Sequence, residues 1–314
     1  MTDGTGGGRI SYFGGEFVAH ERARVPITSH VVNYGTGCFE GIRAYWNGER
    51  EQLYVTLLGA HIDRLLRSAR ILNLGYDGTH DHLCEVVLEL LRRNDLRQDA
   101  YIRPLIYKAE ETIKVTLTGL RTAMAAYCMP MGGYVDIDRG LRLAISSWRR
   151  IDDNAIPARA KVIGSYVNAA LASDDARQKG FDEALMLTGD GHLAEASSSN
   201  VFLVAGDEVL TTESSDDILV GITRGVVLEL AREMGFTVRE SRIDRSQLLA
   251  ADEVFLCGTG VQIAPATEID GRVIGDGRPG RVTMALQKRY LQVVRGEAPD
   301  HADWRTPVYD EKES

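Results

Sequence analysis

Lysine is scarce in this chain: of 36 basic residues only six are lysine, and the rest are arginine. Other shortages exclude whole classes of function. Four cysteines (Cys38, Cys84, Cys128 and Cys257) lie far apart with no C-x-x-C pair, which argues against a disulfide framework or a zinc site and suits reduced thiols. Positive charge is in deficit: at a net charge of −9 the chain lacks the basic surface that nucleic-acid phosphates require. No run reaches the roughly eighteen apolar residues of a membrane span. The seven histidines are scattered without metal-ligand spacing, so no metal is expected. The opening M-T-D-G-T-G-G-G-R has no apolar core and does not read as a signal peptide. A phosphate loop at Gly4–Gly8 would need a preceding strand, for which there is no room, so this stretch reads as a flexible arm. These absences lead us to expect a soluble, cytoplasmic, globular protein.

What is present can bury a substantial core. With 314 residues, 44% of them hydrophobic, the chain suits one large or two medium domains. The two apolar runs around Gly14-Gly15 signal a hairpin. Residues 38–45 and 52–57 read as strands. Residues 58–73 and 81–94 carry apolar side chains at helical spacing, and residues 100–107 and 122–129 return to strand character. Pro130-Met131-Gly132-Gly133 breaks the pattern, and we place an interdomain loop at 131–140 between domains 1–130 and 141–314. Beyond it, strands are expected near 141–146, 183–187, 201–204, 208–211, 253–257 and 266–269, with helices at 167–179, 222–234 and 279–295. The charged tail after Gly296 reads as loosely held. Short strands in clusters with helices between them predict two α+β domains rather than a doubly wound parallel sheet.

The stretch I-P-A-R-A-K-V-I-G-S-Y-V-N-A-A-L places Lys161 among apolar residues, with Tyr166 five positions on. Lysine, unlike arginine, can lose its proton when desolvated and attack a carbonyl. The plain alternative is a lysine whose stem lies along apolar surface while its ammonium reaches water. Four further stretches are weak alone. L-A-E-A-S-S-S-N-V-F sets Glu195 before a small-residue turn. L-V-G-I-T-R-G starts a helix at Ile222-Thr223, whose first N–H groups suit an anion. C-G-T-G lets backbone N–H groups and Thr259 approach an anion, and A-H-I-D-R-L puts Arg64 on a helix.

Taken in order, Glu195, Asn200-Val201-Phe202, Leu210-x-Thr212 and Leu219-x-Gly221-Ile222-x-Arg224, with Lys161 upstream, resemble the signature of the class IV, or fold-type IV, pyridoxal phosphate-dependent aminotransferases. The resemblance runs from about Tyr12 to Arg295. It implies a two-domain α+β architecture of the D-amino acid aminotransferase-like kind and the cofactor pyridoxal 5′-phosphate. It further implies that Lys161 holds that cofactor as a Schiff base and moves the proton. By the same resemblance Glu195 pairs with the pyridine nitrogen. Arg64, Ile222, Thr223 and Thr259 hold the phosphate, and Tyr166 lies by the ring oxygen.

Within the class, V-N-Y-G-T-G-C-F-E-G-I-R-A-Y and A-Y-I-R-P-L-I-Y are similar to the branched-chain amino acid aminotransferases. This similarity implies transamination between Leu, Ile or Val and 2-oxoglutarate by a homodimer with small-molecule amino acid and 2-oxo acid partners. It also implies an apolar wall at Phe39, an α-carboxylate site at Tyr101 and Thr259–Gly260, and a distal-carboxylate site at Arg103, Tyr34 and Tyr134. Two departures leave other substrates open: A-S-S-S-N after Glu195 is similar to the D-amino acid enzymes, and residues 108–121 do not match the corresponding family loop. The alternatives are an aminotransferase for D-amino acids, (R)-amines or a specialised biosynthetic keto acid. A non-catalytic relative would have no chemical need for both Lys161 and Glu195.

Overall fold

The computed structural model describes residues 9–133 and 139–310. The expected arm at Gly4–Gly8 and the candidate residue Tyr134 lie outside them. The chain divides into two units, each with its own sheet.

The first unit starts with a hairpin, β1 (Ile10–Phe13) and β2 (Glu16–Ala19), joined at Gly14-Gly15, both with positive φ. A short helix α1 (His30–Tyr34) leads to β3 (Gly37–Phe39), β4 (Ile42–Asn47) and β5 (Gln52–Thr56). Helices α2 (Leu58–Ile71) and α3 (His80–Arg93) precede the long hairpin of β6 (Ala100–Lys108) and β7 (Thr122–Pro130). Among the described residues the sheet has eight strands, all pairs antiparallel: a C-terminal strand Arg305–Pro307, then β5, β4, β6, β7, β1 and β2, with β3 also on β6. The helices bury Leu58, Ile62 and Leu65 of α2 and Leu83, Val87, Leu90 and Leu91 of α3 in one core with Ile42, Leu53 and Ile102. This is the apolar spacing that the sequence displayed.

One expected strand is two. Residues 38–45 pair with β6 in a single register, with Phe39 opposite Leu105 and Ile42 opposite Ile102, yet the strand breaks at Glu40-Gly41. That register sets Glu40 opposite Pro104, which accepts from the Glu40 N–H at 2.9 Å but has no N–H to return. The ladder therefore stops where a buried acid, Glu40, stands.

The second unit carries β8 (Leu141–Ile145), α4 (Tyr166–Gln178), β9 (Glu183–Leu187), β10 (Leu193–Ala196), β11 (Asn200–Ala205) and β12 (Glu208–Thr211). It continues with α5 (Ile222–Glu233), β13 (Thr237–Glu240), α6 (Arg245–Leu249), β14 (Glu253–Gly258), β15 (Gln262–Ile269), β16 (Arg272–Val273) and α7 (Arg281–Val294). Its sheet, nine-stranded among the described residues, runs β10-β9-β8-β15-β14-β11-β12-β13, with β16 on β15. It is mixed: β8 is parallel to β9 and β15, and β12 is parallel to β13. Both units are thus α+β, and neither is a doubly wound parallel sheet. Helix α4 buries only alanines (Ala169, Ala172 and Ala176), and the last two pack with Ala144 and Ala184 of the sheet.

The units divide the chain differently from the expected 1–130 and 141–314. The first crossing falls at Gly132/Gly133, close to the expected loop, but two later pieces group with the first unit. Residues 160–164 do so through main-chain bonds to residues 35–39. The described residues from 294 to 310 do so because this part of the tail is held rather than loose: Arg305–Pro307 pairs with β5, Val308 is fully buried, and Arg295 bonds Asp99 at 2.6 Å.

Charge is also buried in the first unit. The polar residues His61, Arg64 and Ser68 recur on the buried face of α2. Glu40, fully enclosed, accepts from Arg64 Nε at 2.6 Å and Nη2 at 2.9 Å, from His61 Nδ1 at 2.8 Å and from the Gly41 N–H at 3.2 Å. Burial alone would raise the Glu40 carboxyl, but the Arg64 charge and the His61 hydrogen bond outweigh it and hold the group well below the usual carboxylate range. Burial lowers His61 from its ordinary 6.5 despite Glu40, so His61 is neutral at pH 7 and its contact with Glu40 is an N–H···carboxylate bond. Both shifts have the same sign for folding. The unfolded chain binds these protons more readily, so stability is complete above pH 6.5 and falls as pH drops, first through His61 and then, below the ordinary carboxylate value of 4.5, through Glu40. His61→Gln should therefore flatten the dependence of the urea-unfolding midpoint on pH just below 6.5 while leaving the steeper loss below 4.5.

Candidate active site

Lys161 is fixed by its main chain. Its N–H donates to Ser68 Oγ at 3.1 Å, and its carbonyl accepts from the Phe39 N–H at 3.1 Å. The next residues continue the pairing, Ile163 N–H to Gly37 O at 2.9 Å and Gly164 N–H to Gly35 O at 3.1 Å, with Cys38 bridged to Val162. The approach is close enough that a Cβ on Gly35, already at φ 65°, would lie 2.7 Å from Gly164 Cα. A lysine in an apolar run is thus held at the edge of β3, half-buried, with Nζ 5.1 Å from the Phe39 ring centroid.

Phe39, expected to form an apolar wall, sits against charge. It is 5% exposed, and its ring carries a second cation, the Arg103 guanidinium, at 4.4 Å. Arg103 also donates to the Tyr101 hydroxyl from Nε at 3.1 Å. The Tyr101 ring lies where only glycine leaves room, since a Cβ on Gly41 would be 2.4 Å from its hydroxyl oxygen. Phe39, Tyr101, Arg103 and Lys161 therefore form one cationic, aromatic cluster in the first unit, suited to carboxylates. Arg64 meets Glu40 rather than standing as an isolated cation.

Tyr34, expected at the distal-carboxylate site, also makes a contact of its own within the unit. Its hydroxyl donates to the Ile113 carbonyl at 2.8 Å, tying α1 to the loop at 109–121. His30 holds the same loop: it accepts from Thr36 at Nδ1, 2.7 Å away, and donates from Nε2 to Lys114 O at 3.0 Å. At the base of the loop the buried Lys108 ammonium bonds the carbonyls of Leu74 and Leu120 and the Thr122 hydroxyl.

In the second unit, Glu195 is 5% exposed on β10. Its carboxylate pairs with Arg150 Nη2 at 2.9 Å and accepts from Asn200 Nδ2 at 3.1 Å and from the Leu219 N–H at 3.3 Å. Asn200 also donates to Leu219 O at 2.9 Å and fills the space beside Gly221, where a Cβ would lie 2.1 Å from Asn200 Oδ1. Gly221 precedes α5 without a side-chain cap. The N–H groups of Ile222 and Thr223 come before the first intrahelical bond, Gly225 N–H to Gly221 O, and so suit an anion. Arg224 braces this helix start through Thr212 O at 2.7 Å and Glu240 at 2.6 Å. Thr259 and Gly260 form the turn between β14 and β15, and Tyr166 opens α4.

The structure thus gathers the candidates Lys161, Phe39, Tyr101 and Arg103 in one unit and joins Glu195 to the turn before Ile222 and Thr223 in the other. Sequence reasoning missed Glu40, His61, Ser68 and Arg150. Polar residues on the apolar face of α2, and an acid inside the apolar run G-C-F-E-G-I, were available signals for the first three. Nothing in the sequence around Arg149-Arg150 singles out Arg150.

With these groups in view, the relatives are informative. The model of the amino-transferase class IV family matches residues 37–269. A probable branched-chain-amino-acid aminotransferase of Aquifex aeolicus is 42% identical over 302 residues, covering 96% of this chain and 97% of the relative. The crystal structure of a branched-chain aminotransferase from Thermoproteus uzoniensis with norvaline is similar at a TM-score of 0.93 and 40% identity, covering 96% of this chain and all of that one. That of a branched-chain amino acid aminotransferase from Thermobaculum terrenum in its pyridoxal phosphate, or holo, form is similar at a TM-score of 0.92 and 35% identity, with 96% and 99% covered. The chain belongs to the class IV aminotransferases and is most like their branched-chain amino acid members.

Proposed function

We propose that the protein is a pyridoxal 5′-phosphate-dependent aminotransferase that moves an amino group between L-leucine, L-isoleucine or L-valine and 2-oxoglutarate. The observation that carries this reading is Lys161, a lysine clamped by its main chain between β3 and α2 with its ammonium on the Phe39 ring beside Arg103. The residues fit the cofactor on structural grounds. A buried carboxylate, Glu195, is held by an arginine and an amide, and Gly221 opens a helix start whose N–H groups suit a phosphate. The relatives' names supply the substrate class.

When bound, the cofactor supplies an aldehyde carbon that exchanges nitrogen and a pyridine ring that takes up electron density from the substrate Cα. Lys161 would hold that aldehyde carbon through Nζ. Its amine, once released by the incoming substrate amine, would take the proton from substrate Cα and return it to the cofactor's former aldehyde carbon, on the other side of the nitrogen. Glu195, held in place by Arg150, Asn200 and the Leu219 N–H, would accept the hydrogen bond of the pyridine nitrogen and favour its protonated form. Ile222, Thr223, Thr259 and Arg64 would hold the phosphate, with Tyr166 beside the ring oxygen. Tyr101 and the Thr259–Gly260 turn would orient the α-carboxylate, and Arg103 would take the distal carboxylate of glutamate. Among the described residues no helix is long and apolar enough to cross a membrane. We infer a homodimer, supported by apolar side chains left in water on the first unit, Ile113 at 83% and Val115 at 85% exposure, and testable by light scattering.

The purified protein should be yellow, and borohydride should fix the cofactor to the peptide that contains Lys161. Lys161→Ala should lose that label, and its turnover with L-leucine should fall by about 10²–10⁴-fold. Wild-type turnover in an unlabelled Lys161→Ala protein would end the proposal. A substrate panel of L-Val, L-Leu, L-Ile, D-Ala and an (R)-arylamine tests the substrate class.

The two half-reactions should also separate at Arg103. Leucine has no second carboxylate, whereas glutamate would leave one unpartnered in a partly dry site, costing about 2 kcal/mol or more. Arg103→Ala should reduce kcat/KM for glutamate by about 30-fold or more. Because Arg103 also donates to the Tyr101 hydroxyl, leucine should slow too, but by a clearly smaller factor. Stopped-flow measurement of each half-reaction reads this ratio, and equal losses would assign Arg103 to the α-carboxylate or to the fold.

A further inference from the structure

We propose that Glu40, which was not among the expected site residues, is a positioning residue that aims the Arg64 guanidinium at the cofactor phosphate. The inference rests on the cofactor reading above and concerns how Arg64 acts within it.

The geometry is a fork on a fork. Arg64 Nε and Nη2 donate to the two Glu40 oxygens at 2.6 and 2.9 Å, so the plane of the guanidinium is set by the plane of the carboxylate. Its other N–H donors then point along directions fixed by the protein, away from Glu40. Glu40 is itself held in place. Its Oε2 also accepts from His61 Nδ1 at 2.8 Å and from the Gly41 N–H at 3.2 Å, and the residue has no exposed surface. His61, Arg64 and the Lys161 partner Ser68 lie on one buried face of α2. The same carboxylate thus braces the helix face on which the Lys161 main chain rests.

Two physical effects oppose each other here, which makes the proposal testable. If Arg64 acts as a point charge, Glu40 is a handicap, because it cancels the positive charge that would attract a phosphate. Removing the Glu40 charge would then tighten phosphate binding. If Arg64 acts as an oriented set of donors, Glu40 is required, because a guanidinium without its bidentate partner loses the plane in which those donors lie. Full enclosure and four donors on a single carboxylate favour orientation. A buried charge that contributed nothing but cancellation would carry its desolvation cost without return.

The test is a double-mutant cycle on protein freed of cofactor, titrated with pyridoxal 5′-phosphate and with pyridoxal, which lacks the phosphate. Binding is read by the visible absorbance that develops and by equilibrium dialysis, without reference to turnover. Glu40→Gln is expected to weaken pyridoxal 5′-phosphate by about tenfold or more, the equivalent of one oriented charge-assisted hydrogen bond. Pyridoxal should change by less than about twofold, well under the tenfold that corresponds to 1.4 kcal/mol. In an Arg64→Gln background the Glu40→Gln effect should disappear. Tighter binding of the phosphorylated cofactor overturns the proposal in favour of the point charge, and equal losses for both compounds, or additive losses, overturn it in favour of a purely structural Glu40. Should Glu40→Gln fail to fold, Glu40→Asp keeps the charge one methylene short. It is expected to show the same phosphate-selective loss, and wild-type affinity in that variant overturns the proposal. A wild-type protein that binds neither compound sinks the cofactor reading, and this inference with it.

Discussion

A carboxylate cut off from water has to find all its donors in the chain, and the first unit is organised around that demand. Glu40 stands where Pro104 interrupts the ladder that β6 makes with β3 and β4. Its neighbours on either side, Phe39 and Gly41, serve the aromatic cluster, Phe39 as a ring for two cations and Gly41 as the gap that admits Tyr101. Three consecutive residues thus fix a guanidinium, a pair of cations and a tyrosine. Such an arrangement is intolerant of change because each buried polar atom has a specific partner, and a half-satisfied network is worse than an apolar core.

The second unit meets a similar demand differently. Glu195 is also buried, but its cation comes from a loop after β8 and its remaining bonds come from an amide, Asn200, and a main-chain N–H. Asn200 is the economical part. One side chain satisfies the carboxylate, holds the Leu219 carbonyl, and excludes any side chain at position 221. The start of α5 and the orientation of Glu195 are therefore set together, and Arg224 ties that helix start to Thr212 and Glu240.

Much of this was legible in the sequence, for physical reasons that differ by residue. Periodicity located α2, α3, α5 and α7 and nearly every long strand, because burial of one face is what both the pattern and the packing record. Lys161 stood out because lysine is rare here and its surroundings apolar. The division of the chain was less legible: neither the return of residues 160–164 to the first unit nor the docking of the tail leaves a local signal, since both depend on main-chain bonds to distant segments. The break at Glu40-Gly41 was hidden for the same reason, as its cause, Pro104, is 64 positions away from the acid it faces, across the sheet. Tyr34 was assigned by resemblance, and the hydrogen bond from its hydroxyl to the Ile113 carbonyl, between segments far apart in the chain, left no local signal either.

The tail has a consequence for how the molecule comes into being. Val308 N–H bonds Leu53 O and the Gln52 side chain bonds Tyr309 O, so an edge strand of the first sheet is closed by a segment 257 positions further along the chain. During vectorial synthesis the whole of the second unit, from 133 to 293 except for the five-residue return at 160–164, emerges before that edge is covered. An uncovered strand such as β5 presents a row of unpaired main-chain groups to any neighbour, and closing a loop of this length is slow. The nascent chain must therefore carry an open sheet edge while the second unit is being made, and the interval in which it is most exposed to association with other chains is written into the order of its segments.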